Sequence, residues 1–334
     1  MLNYRSIIIL LSALMMAGSW ASEEDVKPTA HHHHHHHHRV AHKHGSMHHH
    51  HRLAHANRHA KRTTRVASHG MLQSSGELHL QSNAAMIMDA ETGQLLYAKN
   101  LDKTVPIASI SKLMTAMVVL DGHQDMDAPI TITAADVDTL RHSSSRLPVG
   151  TTLPRGQMLL LALMASENRA AAALARSYPG GTLQAVAAMN NKARDLGMMH
   201  THFLDPTGLH TENQSTPNDL ALMVKAAHTY PEIRQDTTTH SMQLAVGERR
   251  RHEVEFHNTD PLIKSSSWNI GLSKTGFINE SGKCLVMQAQ IATKPVIIVL
   301  MNSWGRYTRF GDANRVREWL ESGMHRTLRL GRVD

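Results

Sequence analysis

Cysteine is almost absent from this chain: Cys284 is the only one in 334 residues, so no disulfide can close within it. It stands in the apolar run 284–287, where a thiol reads as a small buried hydrophobe. No histidine with an orienting group can be placed beside it, which argues against a cysteine nucleophile. Long apolar runs are equally scarce. The stretch 7–17 is the one near the N-terminus, and it falls short of the about twenty residues that a spanning helix needs. No later segment is long enough either, so no stable membrane anchor is expected. The folded part also lacks a strong charge bias. The net charge is +7, but residues 22–75 hold eight Lys/Arg against three Asp/Glu and Arg5 adds one more, leaving +1 (7 − 5 − 1) from Gly76 onward. The basic excess sits in a tail, so the globular part gives no hint of a nucleic-acid partner.

What is present divides the chain into regions. Residues 1–21 read as a secretory signal peptide: Arg5 supplies a positive start, 7–17 the apolar stretch, and Ser19-Trp20-Ala21 a small-residue cleavage site near Ala21. Export to the periplasm is the expectation. Residues 22–75 have the composition of a disordered, basic linker, with His31 to His38 and His48 to His51 as its dense clusters. Imidazole binds zinc, copper and nickel, so His31, His38, His48 and His51 are candidates for weak metal binding. A spacer without such a role, or an expression tag, fits the same composition.

Residues 76–326 carry globular composition, and 327–334 form a short polar tail. Strands are expected at 84–89 and 94–98 around Glu91-Thr92-Gly93, and helices at 109–120, 157–165, 169–177 and 182–196. After Asn269 the texture is β, at 271–274, 284–290 and 295–301, before a closing helix at 312–321. Strands from both ends with helices between them define an α/β fold class.

Three short motifs stand in order: Ser109-Ile110-Ser111-Lys112, Ser166-Glu167-Asn168 and Lys274-Thr275-Gly276. Each alone is weak; together they match the serine acyl-transferase set S-x-x-K, S-x-N and K-T-G. A serine hydroxyl needs a neighbouring base. At i and i+3 on a helix, Ser109 and Lys112 project from one face. Ser109 at a helix start meets free N–H groups, and Lys112, partly desolvated beside Lys274, can have its pKa lowered. Ser166 and Asn168 are expected in a turn between helices. There Ser166 can relay a proton and Asn168 can hydrogen-bond substrate and Lys112, although a helix-capping pair would look the same. Lys274 and Thr275 at the end of an edge strand can bind a carboxylate, and Gly276 allows close backbone approach. The N–H groups of Ser109 and Phe277 would form an oxyanion hole, in which one donor is worth about 100- to 1,000-fold in rate.

The strings PIASISKLMTAMVVL (106–120), LLLALMASENRAAAA (159–173), NIGLSKTGF (269–277), FLDPTGL (203–209) and RFGDANRVREWL (309–320) extend the match. Over residues 83–323 the chain resembles the low-molecular-mass penicillin-binding proteins of serine peptidase family S11, and within them the D-alanyl-D-alanine endopeptidase type. The resemblance implies a β-lactamase/transpeptidase-like fold, an antiparallel sheet flanked by helices plus an all-helical subdomain. It implies hydrolysis of D-Ala–diaminopimelate cross-links in peptidoglycan through an acyl-serine, with β-lactams as covalent inhibitors and no cofactor. By motif, Ser109 is the nucleophile, Lys112 its base, and Ser166 and Asn168 assist, while Lys274, Thr275 and Gly276 bind substrate; no metal is implied in the active site. Carboxypeptidase relatives usually add a β-rich domain and an amphipathic anchor, whereas fewer than sixty residues follow Gly276 here. A DD-carboxypeptidase stays as the alternative.

A class A β-lactamase would need a deacylating carboxylate in an E-x-x-x-N pattern. Glu212 is followed four residues on by Thr216, and no other glutamate between Asn168 and Lys274 fits. A periplasmic metal binder with a non-catalytic fold, or a scaffold for wall enzymes, are readings of another class.

Overall fold

The computed structural model describes residues 77–247 and 252–330. The expected signal peptide and the histidine clusters, with their candidate metal ligands His31, His38, His48 and His51, lie outside the described residues.

Five antiparallel strands form the main sheet, drawn from the early and late parts of the described residues. The first hairpin is β1 (Ala84–Asp89) and β2 (Leu95–Lys99). Two-stranded pairings follow between β3 (Val105–Pro106) and β6 (Gln214–Ser215), and between β4 (Pro129–Thr131) and β5 (Thr152–Pro154). The ribbon β7 (Ser241–Val246) with β8 (His252–His257) is a third. The long strands β9 (Asn269–Ile278), β10 (Gly282–Ile291) and β11 (Lys294–Ser303) complete the sheet in the order β2-β1-β11-β10-β9. The first and last strands, β1 and β11, therefore pair side by side, with Ala84 opposite Met301.

Both faces of this sheet are covered, which explains why its central strands read as continuous apolar runs rather than as alternation. Side chains one residue apart point to opposite faces. Ala84, Met86, Val286, Ile297 and Val299 join the larger core with the helices, whereas Ala85, Ile87, Leu285, Ile298 and Leu300 pack with Phe310, Ala313 and Val316. The latter belong to the closing helix α7 (Thr308–Leu330). Asp312 of α7 accepts hydrogen bonds from the Gln81 and Ser82 amides at 3.0 and 2.7 Å, tying the start of the fold to its end.

The remaining helices are α1 (Ser111–Asp121), α2 (Arg155–Met164), α3 (Asn168–Arg176), α4 (Gly181–Asp195), α5 (Pro217–Ala227) and α6 (Pro231–Thr238); α5 and α6 pack on the main sheet, and α1 to α4 pack chiefly on other helices. Every residue of α1 from Ser111 to Val119 is buried. A helix apolar all round occupies the centre of a core, and α1 does so while carrying Lys112. Among the described residues, no helix is long and apolar enough to cross a membrane.

Two sequence expectations are corrected here. The helix expected from Ser109 begins at Ser111; Ser109 belongs to a single 3-10 turn, Ala108–Ile110, with Ala108 at φ 49°. The strand expected to end at Lys274-Thr275-Gly276 continues to Ile278, because pairing of Gly276 with Cys284 and Phe277 with Lys283 carries the ladder past the motif. Cys284 itself is fully buried, and burial pushes its thiol up to about 11.

Candidate active site

The three motifs converge from separate elements. The turn bearing Ser109 is held from two sides by glycines. A Cβ on Gly276 would lie 2.7 Å from the Ile107 carbonyl oxygen and 3.3 Å from Ala108 Cβ, so β9 can press against the turn only because that atom is missing. On the other side Gly208, at φ +85°, approaches so closely that a Cβ would fall 1.9 Å from the Ala108 carbonyl oxygen. The left-handed conformation at Ala108 is uncommon for a residue with a side chain, and it is fixed between these two contacts.

Lys112, one turn into the chain from Ser109, is 1% exposed. Its Nζ lies 2.7 Å from Ser109 Oγ, and it donates to Asn168 Oδ1 at 2.8 Å and to the Thr207 carbonyl at 2.6 Å. Burial lowers its pKa to about 7, against the opposing pull of Asp205 and Glu167. Desolvation disfavours the charged form of an amine, so burial supplies what the sequence reading had ascribed partly to Lys274.

Ser166 sits in the connection between α2 and α3 at φ 58°. Its hydroxyl accepts from Lys274 Nζ at 2.9 Å. Asn168 is the first residue of α3 rather than part of the turn, and its amide nitrogen donates to Ser143 Oγ at 2.9 Å. The pair is thus turned into the cleft: the N-cap of α3 is Glu167, without a side-chain cap. Glu167 is buried and accepts from Ser145 Oγ at 2.6 Å, with Arg146 at 3.4 Å.

Lys274 is 1% exposed and held well below the usual lysine range by burial, then by the neighbouring cations Lys112 and Arg309. Its ammonium also donates to the Thr275 carbonyl at 3.0 Å. Thr275 Oγ1 donates to Thr259 Oγ1 at 2.7 Å. Phe277 is half exposed, with Lys283 Nζ 3.9 Å from its ring centroid.

The sequence reading missed two parts of this site. The first is the loop 203–209, quoted only as a likeness. Asp205 accepts from the amides of Thr207, Gly208 and His210 at 2.6, 2.8 and 2.9 Å, an Asx turn that aims the Thr207 carbonyl at Lys112. Asp-Pro-Thr-Gly carries a turn signal, but nothing local points to a lysine 95 residues away. The second is Arg309 at the start of α7. It is 9% exposed, its Nε and one terminal nitrogen have no hydrogen-bond partner, and it lies close enough to Lys274 to depress that amine. A lone arginine gives no sequence signal.

With this geometry in hand, comparison with known proteins assigns the class and then the family. The fold matches a Streptomyces DD-transpeptidase with a TM-score of 0.69 and 28% identity, over 75% of this chain and 100% of that one. It also matches a Mycobacterium tuberculosis D-alanyl-D-alanine carboxypeptidase with a TM-score of 0.67 and 27% identity, over 74% of this chain and 93% of that one. The class is thus a serine hydrolase with the penicillin-binding protein fold. Residues 71–305 match the Peptidase S11 model, described as D-alanyl-D-alanine carboxypeptidase, and the chain belongs to that family. It is 48% identical over 244 residues to a Pseudomonas aeruginosa D-alanyl-D-alanine endopeptidase, covering 73% of this chain and 78% of the relative. It is 43% identical over 258 residues to an Escherichia coli D-alanyl-D-alanine endopeptidase, covering 77% and 83%.

Proposed function

We propose that this chain is a periplasmic peptidoglycan DD-endopeptidase that cleaves D-Ala–diaminopimelate cross-links through an acyl-Ser109 intermediate, and that β-lactams acylate the same serine. One observation carries the chemistry: Lys112 Nζ sits 2.7 Å from Ser109 Oγ with its two other contacts on carbonyl-type acceptors. A neutral amine has two N–H bonds and one lone pair. Asn168 Oδ1 and the Thr207 carbonyl take the two hydrogens, which turns the lone pair onto the Ser109 hydroxyl.

In the proposed reaction Ser109 Oγ attacks the D-Ala carbonyl as its proton passes to Lys112. The Ser109 and Phe277 N–H groups receive the oxyanion. Ser166, bonded to Lys274, relays the proton from Lys112 to the departing amine; the neutral Lys112 then takes a proton from the water that hydrolyses the acyl-serine and returns it to the departing Ser109 oxygen. Lys274, Thr275 and Arg309, two of whose guanidinium nitrogens have no hydrogen-bond partner, bind the carboxylate on the leaving-group side; Thr275 must turn its hydroxyl away from Thr259 to do so. Gly276 keeps the strand close to the nucleophile. These steps use only side chains, two backbone N–H groups and water. The catalytic unit in this reading spans 76–326, after an exported leader (1–21) and the linker 22–75, and ends in the tail 327–334. The endopeptidase preference is supported by the names of the two relatives above.

Digestion of purified cross-linked muropeptides, followed by mass analysis, tests this. Conversion of dimers to monomers is expected, with loss in Ser109→Ala. Trimming of pentapeptides alone would identify a carboxypeptidase instead.

A further inference from the structure

Two contacts bridge the cleft beside β9, and only one of them belongs to the motifs. At one end Ser166 meets Lys274. At the other, Arg141 pairs with Glu280 at 3.0 Å. Glu280 stands in the turn between β9 and β10, four residues beyond Gly276, and Gly276 is the residue packed on the Ser109 turn. Ser109 therefore lies between the two bridges.

Arg141 is presented by a loop with little freedom. Asp138 accepts from the amides of Leu140, Arg141 and Ser143 at 2.9, 3.0 and 2.8 Å, winding the loop around one carboxylate. Ser143 in turn accepts from Asn168, so the loop is hooked directly to the catalytic cluster. The Arg141 Nε donates to the Leu209 carbonyl, next to Gly208. One nitrogen thus fixes the guanidinium in place while another is committed only to Glu280. Arg141 is 23% exposed and Glu280 47%, and ion pairs so open to water contribute little. The pair is positioned firmly and opened cheaply.

We infer that the Arg141–Glu280 pair recognises the zwitterionic side-chain head of diaminopimelate in the acyl-donor half of the substrate. This rests on the peptidoglycan reading above, which places the leaving-group carboxylate at Lys274, Thr275 and Arg309. The donor peptide must then run the other way from Ser109, past Glu280. The residue preceding its D-Ala is diaminopimelate, whose free side-chain end bears one ammonium and one carboxylate. Inserted between Arg141 and Glu280, that head exchanges one ion pair for two: carboxylate on Arg141, ammonium on Glu280. A lysine at the same place has no carboxylate and leaves Arg141 unmatched.

The test is calorimetric binding of the tetrapeptide L-Ala-γ-D-Glu-diaminopimelate-D-Ala to the Ser109→Ala protein. The same peptide with lysine at the third position, and one with the side-chain carboxylate amidated, are compared with it. Diaminopimelate should bind at least tenfold tighter than either, and both Arg141→Gln and Glu280→Gln should weaken its binding at least fivefold, while Arg141→Lys restores part of it. In Arg141→Gln the preference over the amide should vanish. A purely structural bridge would shift all three peptides together and keep their ratios. Equal binding of the three peptides, or a preference that survives both substitutions, overturns the inference. Cleavage of muropeptide dimers by the unmutated protein is scored separately: dimers cut with no Arg141-dependent preference sinks this inference alone, and dimers uncut with the preference intact sinks the endopeptidase reading alone.

Discussion

The lowered pKa of Lys112 makes the pH dependence of Ser109 acylation the sharpest test of the proposed chemistry. Only the neutral amine can take the serine proton. With a midpoint of about 7, the neutral fraction is about 0.1 at pH 6, about 0.5 at pH 7 and about 0.9 at pH 8. The acylation rate by a fluorescent penicillin should therefore rise about tenfold from pH 6 to pH 8 and level off beyond. A lysine with its ordinary value of 10.5 would instead give about a hundredfold rise over that interval with no plateau. The structure also says which way the midpoint moves. Burial lowers it, and Asp205 and Glu167 push back. Glu167→Gln removes one of those negative charges while leaving an acceptor for Ser145, so the midpoint should shift to lower pH. Pseudo-first-order labelling, quenched and quantified on gels from pH 5 to 9, supplies the profile. A rate still climbing tenfold per pH unit at pH 9, a flat profile, or an upward shift in Glu167→Gln would refute the reasoning.

Gly208→Ala should damage the Ser109 turn more than its size suggests. The added methyl would overlap the Ala108 carbonyl oxygen at 1.9 Å, and the backbone is at φ +85°. Overpacking of this kind costs about 1–3 kcal/mol, and displacing a reacting group by about 1 Å can cost about 100-fold in rate. Urea denaturation and penicillin labelling measure the two effects, and unchanged labelling would contradict the contact. Asp236→Asn addresses stability. Burial, then Glu232, raises Asp236 from 3.8 to about 7. The unfolded chain loses this proton at lower pH than the folded one, so the group's contribution is present below pH 3.8 and is lost as pH rises through about 7. At about 1.4 kcal/mol per unit, asparagine should stabilise by up to about 4 kcal/mol at pH 8 and by little at pH 4. Equal gains at both pH values in urea melts would refute the shift.

The site was legible where its chemistry is local and illegible where it depends on distant backbone. Ser109 and Lys112 are three residues apart, and their pairing follows from any helical or near-helical path between them. The type of that path was misread, because the 3-10 turn is set by Gly208 and Gly276, neither of which lies nearby in the chain. The Asx turn at Asp205 was readable as a turn, but its purpose was not, since Thr207 contributes a backbone carbonyl that any residue type possesses. Arg141 and Arg309 belong to none of the three motifs; one gains meaning from a hairpin turn across the cleft and the other from burial beside Lys274. The segment 197–268 yielded no elements to the sequence reading. Its pieces α5, α6, β7 and β8 are short; α5 and α6 are fixed by packing against α1, α2 and the sheet, and β7 and β8 by pairing with each other, more than by periodicity.

Why Lys112 and not Lys274 should serve as the base follows from how the two amines are bound. Both are buried, and two charged lysines with Arg309 at hand repel one another, so losing a proton from one relieves the others. Lys274 is committed to the Ser166 hydroxyl and the Thr275 carbonyl, and it faces the place where the substrate's leaving-group carboxylate is proposed to bind. An arriving carboxylate favours the charged form of Lys274. That charge in turn favours the neutral form of Lys112, the amine in contact with Ser109. In the proposed reaction, then, the substrate's own anion helps to set the protonation pattern that the attack requires, and the two lysines divide their roles by which of them the carboxylate can reach.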